Sequence, residues 1–198
     1  MYNNLANPRA LGFGVLAIAL WMFSVVHAGI VDPMGIDPLI MHMVGTVAML
    51  GLLIAGIAAF LRHESWLGFF FLLWSGLFWG AYGMGHGQMG EGDMHYAGWF
   101  MMTLALVNGY LWVATVKSSK LGPAISFMVL LLWLSFLALG LRGFFDFWVL
   151  IRVGGALGLA SALIAFYVSA GALAIECCPN MRLPGIAKPE PPRETPPV

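Results

Sequence analysis

Six long apolar stretches, separated by short polar gaps, make up most of this 198-residue chain. A helix needs about 20 residues (roughly 17 to 25) to cross the hydrocarbon core of a bilayer, and each stretch falls in that range or slightly above it. The stretches lack the alternation of outer-membrane strands, and only a helix satisfies all of its backbone groups within one segment. We therefore predict an all-α polytopic membrane protein with transmembrane helices at Ala10–Ile30, Pro38–Leu61, Trp66–Gly83, Tyr96–Val116, Leu121–Leu141 and Phe147–Ile175.

The composition, 61% hydrophobic and 9% charged, supports a membrane protein. The first stretch is too long for a cleavable signal and is followed by five more, so it is predicted to be a true first helix. We divide the chain into an N-terminal segment at residues 1–9, a six-helix transmembrane domain at residues 10–176 and a Pro-rich, disordered tail at residues 177–198.

The distribution of Lys and Arg predicts the orientation, because positively charged loops stay in the cytoplasm. Only Arg142 and Arg152 fall on one side of a six-crossing path. The other side carries Arg9, Arg62, Lys117, Lys120, Arg182, Lys188 and Arg193. Both termini are therefore expected in the cytoplasm, with the protein in the inner (plasma) membrane. The neutral net charge and the lack of a basic patch argue against nucleic acid partners.

Small residues recur at four-residue spacing in the second and sixth stretches. They are Gly51, Ala55 and Ala59 in one and Gly154, Gly158 and Ala162 in the other. Such stripes let membrane helices approach closely, within one protomer or between protomers. A pore-lining role for some of the glycines is the alternative interpretation.

The polar side chains near the centre of the stretches carry no fixed charge, which argues against an ion pump built on buried carboxylates. Hydroxyl, amide and indole groups such as those of Ser75, Trp79 and Asn108 suit a path for a small neutral or weakly acidic solute. Asn108 is the most central amide, and it fits either an interhelical hydrogen bond or a substrate contact.

The start of the first helix has a distinct local pattern. Asn7 is a favourable N-cap, and Pro8 suits the first helical position. Arg9 adds a positive charge in the first turn, where it opposes the helix dipole. A negative group is therefore expected near Arg9, with a carboxylate solute or an anionic lipid as candidates, and the positive-inside rule is the alternative explanation of this charge.

The run Asn7-Pro8-Arg9-Ala10-Leu11-Gly12-Phe13-Gly14 resembles the Asn-Pro-Ala-Pro-Leu-Gly-Leu signature of the acetate uptake transporter family, the succinate–acetate permeases. The run from Trp74 to Trp79 is similar to that family's third helix, and the run from Gly154 to Ala162 through Tyr167 to its last helix. The resemblance covers roughly residues 5–176.

This resemblance implies a homohexamer in which each protomer has its own narrow pathway for acetate or other short carboxylates. It also implies an apolar constriction built from the first, third and fifth helices, whose positions match Leu16, Ser75 and Leu130. Ser75 stands where family members usually carry Tyr or Phe, and this difference affects the width and polarity of the constriction. Asn7, Pro8, Trp79 and Asn108 complete the predicted pathway.

A ring of leucines favours passage of the neutral acid or of an anion accompanied by a proton. Desolvating a bare carboxylate costs many kcal/mol, whereas the protonated acid gives up only hydrogen bonds at a few kcal/mol each. Protons are therefore predicted partners, and flux is expected to rise as the external pH falls.

The glycine-rich stretch Gly83–His95 is the segment that departs most from the family. His86, Met89 and His95 are weak candidates for a soft metal such as Cu(I), while a pH-sensing lid or a simple outer loop are alternatives. His42 with His27 is a weaker candidate pair for haem. We expect no resident cofactor or metal.

Two other function classes stay open. One is a urea or amide channel of similar architecture, which Ser75 makes more plausible. The other is an accessory subunit of a membrane enzyme complex that uses the His/Met stretch. The sequence has no nucleophile–base pair, phosphate loop or firm metal site, so an enzyme is not expected.

Overall fold

The computed structural model describes residues 7–32, 38–84, 93–118, 120–145, 147–178 and 181–186. The helices are α1 (Pro8–His27), α2 (Pro38–Leu61), α3 (Ser65–Met84), α4 (Asp93–Val116), α5 (Gly122–Arg142) and α6 (Trp148–Cys177). The predicted all-α class and the six helices are confirmed for these residues. Five helices, all but α3, are long and apolar enough to cross a membrane over their described residues, and in α3 the apolar helix Ser65–Leu77 is shorter.

Each helix lies against its neighbours in the order α3, α2, α1, α6, α5, α4. Pro8 of α1 and Cys177 of α6 share one end of the bundle with the α2–α3 and α4–α5 connections, and we call it the terminal end. The opposite end, which carries His27 of α1 and Trp148 of α6, is called the loop end. Which end faces the cytoplasm stays a prediction.

Glycines on α6 allow its close contact with α1 and α5. A Cβ atom at Gly155 would overlap the backbone of Ala28, and one at Gly158 would overlap the Ser24 hydroxyl. A Cβ atom at Gly154 would lie 2.8 Å from Leu139 Cγ. The predicted role of the Gly154 stripe in close helix contact is thus confirmed, because a Cβ atom at these positions would press against atoms of the neighbouring segments.

Serine hydroxyls hold the same helices together. Ser135 and Ser161 link α5 and α6 by donating to the carbonyl oxygens of Gly154 at 2.7 Å and Met128 at 3.0 Å. Ser169 of α6 donates to the carbonyl oxygen of Ala10 in α1 at 2.7 Å. Such bonds satisfy hydroxyl groups that would otherwise be desolvated without a partner.

The second small-residue stripe, Gly51, Ala55 and Ala59, allows α2 to pack closely against its neighbours. Ala55 and Ala59 are buried, and a Cβ atom at Gly51 would lie 2.8 Å from Val15 Cγ1 of α1. On the facing side, Gly68 of α3 leaves space for the ring of Phe60. The stripe therefore serves close helix contact on α2 as well.

Candidate functional site in the bundle interior

Aromatic side chains close the half of the interior nearer the terminal end. The rings of Phe13 on α1 and Phe71 on α3 meet edge to face with centroids 5.1 Å apart, and Phe70 lies 5.7 Å from Phe71. Gly12 makes room for the Phe71 ring, since a Cβ atom at residue 12 would overlap it. Leu16, one turn further along α1 than Phe13, is also fully buried. This section of the interior is apolar and closed.

The half nearer the loop end contains a cavity of about 50 Å³. A cavity needs roughly 10–15 Å³ to hold one water, so this one is large enough for a solute of a few heavy atoms. Its walls come from α1, α3, α4 and α5, and the lining residues are Leu20, Phe23, Trp74, Leu77, Phe100, Met101, Leu104 and Phe136. None of these lining side chains carries a charge.

The three residues matched to the family constriction have different surroundings. Leu16 lies in the closed aromatic section. The Ser75 hydroxyl donates to the carbonyl oxygen of Met49 on α2 at 2.9 Å, so its donor is used between helices. Leu130 is half-buried, whereas Val129 and Leu132 beside it are fully buried. The roles of Ser75 and Leu130 in a constriction stay predictions.

Residues lining the cavity that the sequence interpretation missed include Leu20, Leu104 and Phe136. Trp74, which the sequence interpretation noted only as the start of a run similar to the family's third helix, also lines the cavity, and its ring centroid lies 6.3 Å from that of Phe70. A signal for α1 did exist, because Phe13, Leu16 and Leu20 recur at three- and four-residue spacing.

Asn108 of α4 is fully buried at mid-helix. Its Nδ2 donates to the carbonyl oxygen of Leu104, one turn earlier in the same helix, at 2.8 Å. Its Oδ1 has no hydrogen-bond partner among the described residues. The interhelical hydrogen bond considered for Asn108 is therefore absent from the described part of the chain, and the alternative of a substrate contact stays a prediction.

Polar contacts gather at the start of α1. The Asn7 side chain accepts from the N–H of Arg9 at 3.1 Å and Pro8 occupies the first turn, so the predicted cap is confirmed. The Asn7 N–H donates to Glu176 at the end of α6 at 3.0 Å. The Arg9 guanidinium pairs with Glu64 of the α2–α3 connection at 3.0 Å. The negative group expected near Arg9 is thus a carboxylate of the protein itself.

Residues 181–186, assigned by sequence to a disordered tail, lie against the first turn of α5 and the last three turns of α6. The hydroxyl of Tyr167 donates to the carbonyl oxygen of Pro184 at 2.8 Å. The N–H of Ala124 in the first turn of α5 donates to Gly185, whose φ of 75° is left-handed. Gly185 and Ile186 help to line a cavity of only about 10 Å³ beside Asn7 and Arg9.

The predicted His/Met site falls largely outside the described residues, as do His86, Met89 and the Trp79 side chain. His95 is exposed, and its ring centroid lies 6.2 Å from that of Phe144. Within the described ranges, no group of three His, Cys, Asp or Glu side chains is arranged to hold a metal ion.

The model of the GPR1/FUN34/yaaH family matches residues 1–184 of this chain. A solved structure described as the bacterial acetate channel SatP has a similar fold, with a TM-score of 0.82 at 17% sequence identity. The similarity covers 91% of this chain and 99% of that one. No curated protein matches this sequence. With a family match over nearly its whole length, this chain belongs to the GPR1/FUN34/yaaH family.

Proposed function

We propose that this protein is a membrane channel or transporter for acetate or similar short-chain carboxylates. The observation that carries the proposal is the interior, where an uncharged cavity of about 50 Å³ leads to a closed apolar section at Phe13, Leu16 and Phe71. Membership of the family and the fold shared with a bacterial acetate channel support the choice of solute.

The solute passes as the neutral acid or as an anion together with a proton. The cavity lining holds no cationic side chain that would stabilise a bare carboxylate, and desolvating that charge costs many kcal/mol. Leu16 and the aromatic rings around it form the narrow section. Trp74, rather than Ser75, faces the cavity from α3, because the Ser75 hydroxyl is bonded to α2.

The proposal places the protein in the plasma membrane with the terminal end in the cytoplasm. Most Lys and Arg residues lie on that side, including Arg9, Arg62 and Lys117. Residues 10–176 form the transmembrane domain, flanked by cytoplasmic segments 1–9 and 177–198. Homohexamerisation follows from the family resemblance, and native mass spectrometry of the detergent-solubilised protein tests it.

Labelled acetate uptake into liposomes that contain the purified protein tests the function. The neutral fraction of a simple carboxyl group with a pKa of about 4.3 falls roughly 100-fold between about pH 5.5 and about pH 7.5. We expect protein-dependent acetate uptake that falls over this range and is accompanied by acidification of the lumen. Protein-free liposomes supply the background, because neutral acetic acid also crosses lipid.

Urea is the comparison solute. Acetate uptake without urea uptake supports the proposal, whereas urea uptake alone would replace it with an amide channel. No protein-dependent uptake of either solute would contradict transport, and an accessory role would then be examined by purifying the protein with its native partners. Acetate uptake without acidification of the lumen would reject passage of the acid with its proton.

A further inference from the structure

The amide of Asn108 has a fixed orientation, and its acceptor oxygen has no partner among the described residues. The atom 2.8 Å from the carbonyl oxygen of Leu104 must be the donor Nδ2, because a carbonyl oxygen only accepts hydrogen bonds. The Oδ1 atom therefore points away from this bond, and it is buried without a partner among the described residues. A buried acceptor left unsatisfied is costly, so an unsatisfied group of this kind calls for an explanation.

Asn108 lies on the face of α4 that lines the interior. Leu104, Asn108 and Leu111 are buried at four- and three-residue spacing, and Leu104 is part of the cavity wall. Leu106, on the opposite face, is 72% exposed. Contacts with α5 come from a third direction, through Gly109 against the ring of Trp133. The Asn108 side chain therefore faces the bundle interior.

Its depth places Asn108 next to the closed section. Four residues of helix separate it from Leu104, which puts it about 6 Å further from the loop end than the cavity wall. It lies about 12 Å from the end of α4 at Val116, and Leu16 lies about 12 Å from the start of α1 at Pro8. A solute leaving the cavity toward the terminal end meets this amide at the level of Leu16.

We propose that Asn108 is a specificity-determining residue that recognises the proton of a carboxylic acid, an inference that rests on the proposed transport function. A neutral carboxylic acid donates its O–H to Oδ1 and satisfies that buried acceptor. A carboxylate has only acceptor oxygens, so it leaves Oδ1 unsatisfied and faces it with like partial charge. The apolar walls already exclude a charged solute. Asn108 in addition favours the protonated form of the acid, because only that form can donate to Oδ1.

Two variants of Asn108 with nearly the same side-chain shape, one with an acceptor and one without, test whether the acceptor itself affects uptake. Thr103 of α4 donates to the carbonyl oxygen of Trp99 one turn earlier at 2.9 Å, as its hydroxyl can in a helix. In Asn108→Thr the new hydroxyl is expected to donate to Leu104 in the same way and to keep a lone pair for the acid. Asn108→Val has nearly the same shape but no acceptor. Thr103→Val, at an exposed position of the same helix, is the matched control.

The test is protein-dependent acetate uptake into liposomes near the lower pH, together with the melting temperature of each variant in detergent. Relative to Asn108→Thr, Asn108→Val is expected to lower uptake about tenfold, the effect of one lost hydrogen bond. Its melting temperature is expected to equal or exceed that of the wild type, because an unsatisfied polar group is removed. Thr103→Val is expected to transport as the wild type does.

Equal uptake by the Asn108→Val and Asn108→Thr proteins would overturn the proposal for Asn108 while leaving the transport function in place. A loss of uptake that parallels a lower melting temperature would assign Asn108 a structural role and would also overturn it. Absence of acetate uptake by the wild type is a different result, because it would remove the transport function on which this inference rests.

Discussion

The two halves of the bundle differ, over the residues that the structure describes, in how their helices are held together. The half nearer the loop end holds the cavity of about 50 Å³, and close helix contacts hold its walls in place, such as Gly155 against Ala28. The terminal end has a cavity of only about 10 Å³, and polar contacts from separate segments tie it together. The open space in one half is therefore framed by close helix contacts, whereas the other half is held together by polar contacts.

These interactions respond differently to perturbation. A backbone-to-backbone contact cannot open without separating whole helices, whereas a partly exposed ion pair such as Arg9–Glu64 contributes on the order of 1 kcal/mol and can exchange its contacts for water. We therefore expect any opening to occur at the terminal end, where Arg9, Glu64 and residues 181–186 meet the helix ends. The loop-end half, whose cavity we call the chamber, is expected to stay fixed.

The largest effect is expected from Gly155→Leu. A side chain at residue 155 meets the backbone of Ala28, so α1 and α6 have to separate, and a loss of more than about 4 kcal/mol of stability is expected. Size-exclusion chromatography and the melting temperature in detergent measure it. Ala156→Leu, at the exposed neighbouring position, is the control and should be tolerated. A monodisperse, stable Gly155→Leu protein would contradict the rigid loop-end half.

Filling the chamber is expected to have the next largest effect. In Leu104→Trp the larger side chain projects from the cavity wall into the space beside Trp74 and Phe136. Protein-dependent acetate uptake should fall at least about tenfold, and overpacking should cost about 1–3 kcal/mol of stability. Leu106→Trp, on the exposed face of the same helix, should leave uptake unchanged. Equal uptake by the two variants would show that the cavity is not on the pathway.

Glu64→Gln tests the ion pairs at the terminal end. Glu64 accepts from Arg9 at 3.0 Å and pairs with Arg62 at 3.4 Å, and all three side chains keep some exposure. The expected loss is about 1 kcal/mol of stability at low salt, and the difference from wild type should shrink at high salt because exposed charges are screened. Lys117→Gln, which removes an exposed charge, serves as control. A loss of stability that does not depend on salt and exceeds the loss from Gly155→Leu would show that the terminal end is the more rigid of the two.

Tyr167→Phe is expected to have the smallest effect. It removes the hydroxyl that donates to Pro184, a bond worth about 0.5–1.5 kcal/mol. Faster hydrogen exchange at residues 181–186 and at Ala124 should reveal local loosening with little change in the melting temperature. Tyr110→Phe, at an exposed position, should leave this exchange unchanged. Unaltered exchange in Tyr167→Phe would mean that this segment is held by its apolar contacts alone.

The helical membrane fold, the cap at Asn7 and the small-residue stripes could all be predicted from the amino-acid sequence. These features depend on local chemistry or on the length of a segment, and the helices formed with bounds within a few residues of those predicted. The chain of neighbours that puts α1 and α6 at the centre required the tertiary structure.

Other features became visible only in the tertiary structure. They are the surroundings of Ser75 and Leu130, the carboxylate that pairs with Arg9 and the interior orientation of Asn108. Periodicity reveals these poorly, because a lipid-facing side of a helix is as apolar as its buried side. In α4, exposed Leu106 and buried Leu104 are the same residue type two positions apart. Arg9 and Glu64 are 55 residues apart in the chain, so only the packing of α1 beside the α2–α3 connection brings them together.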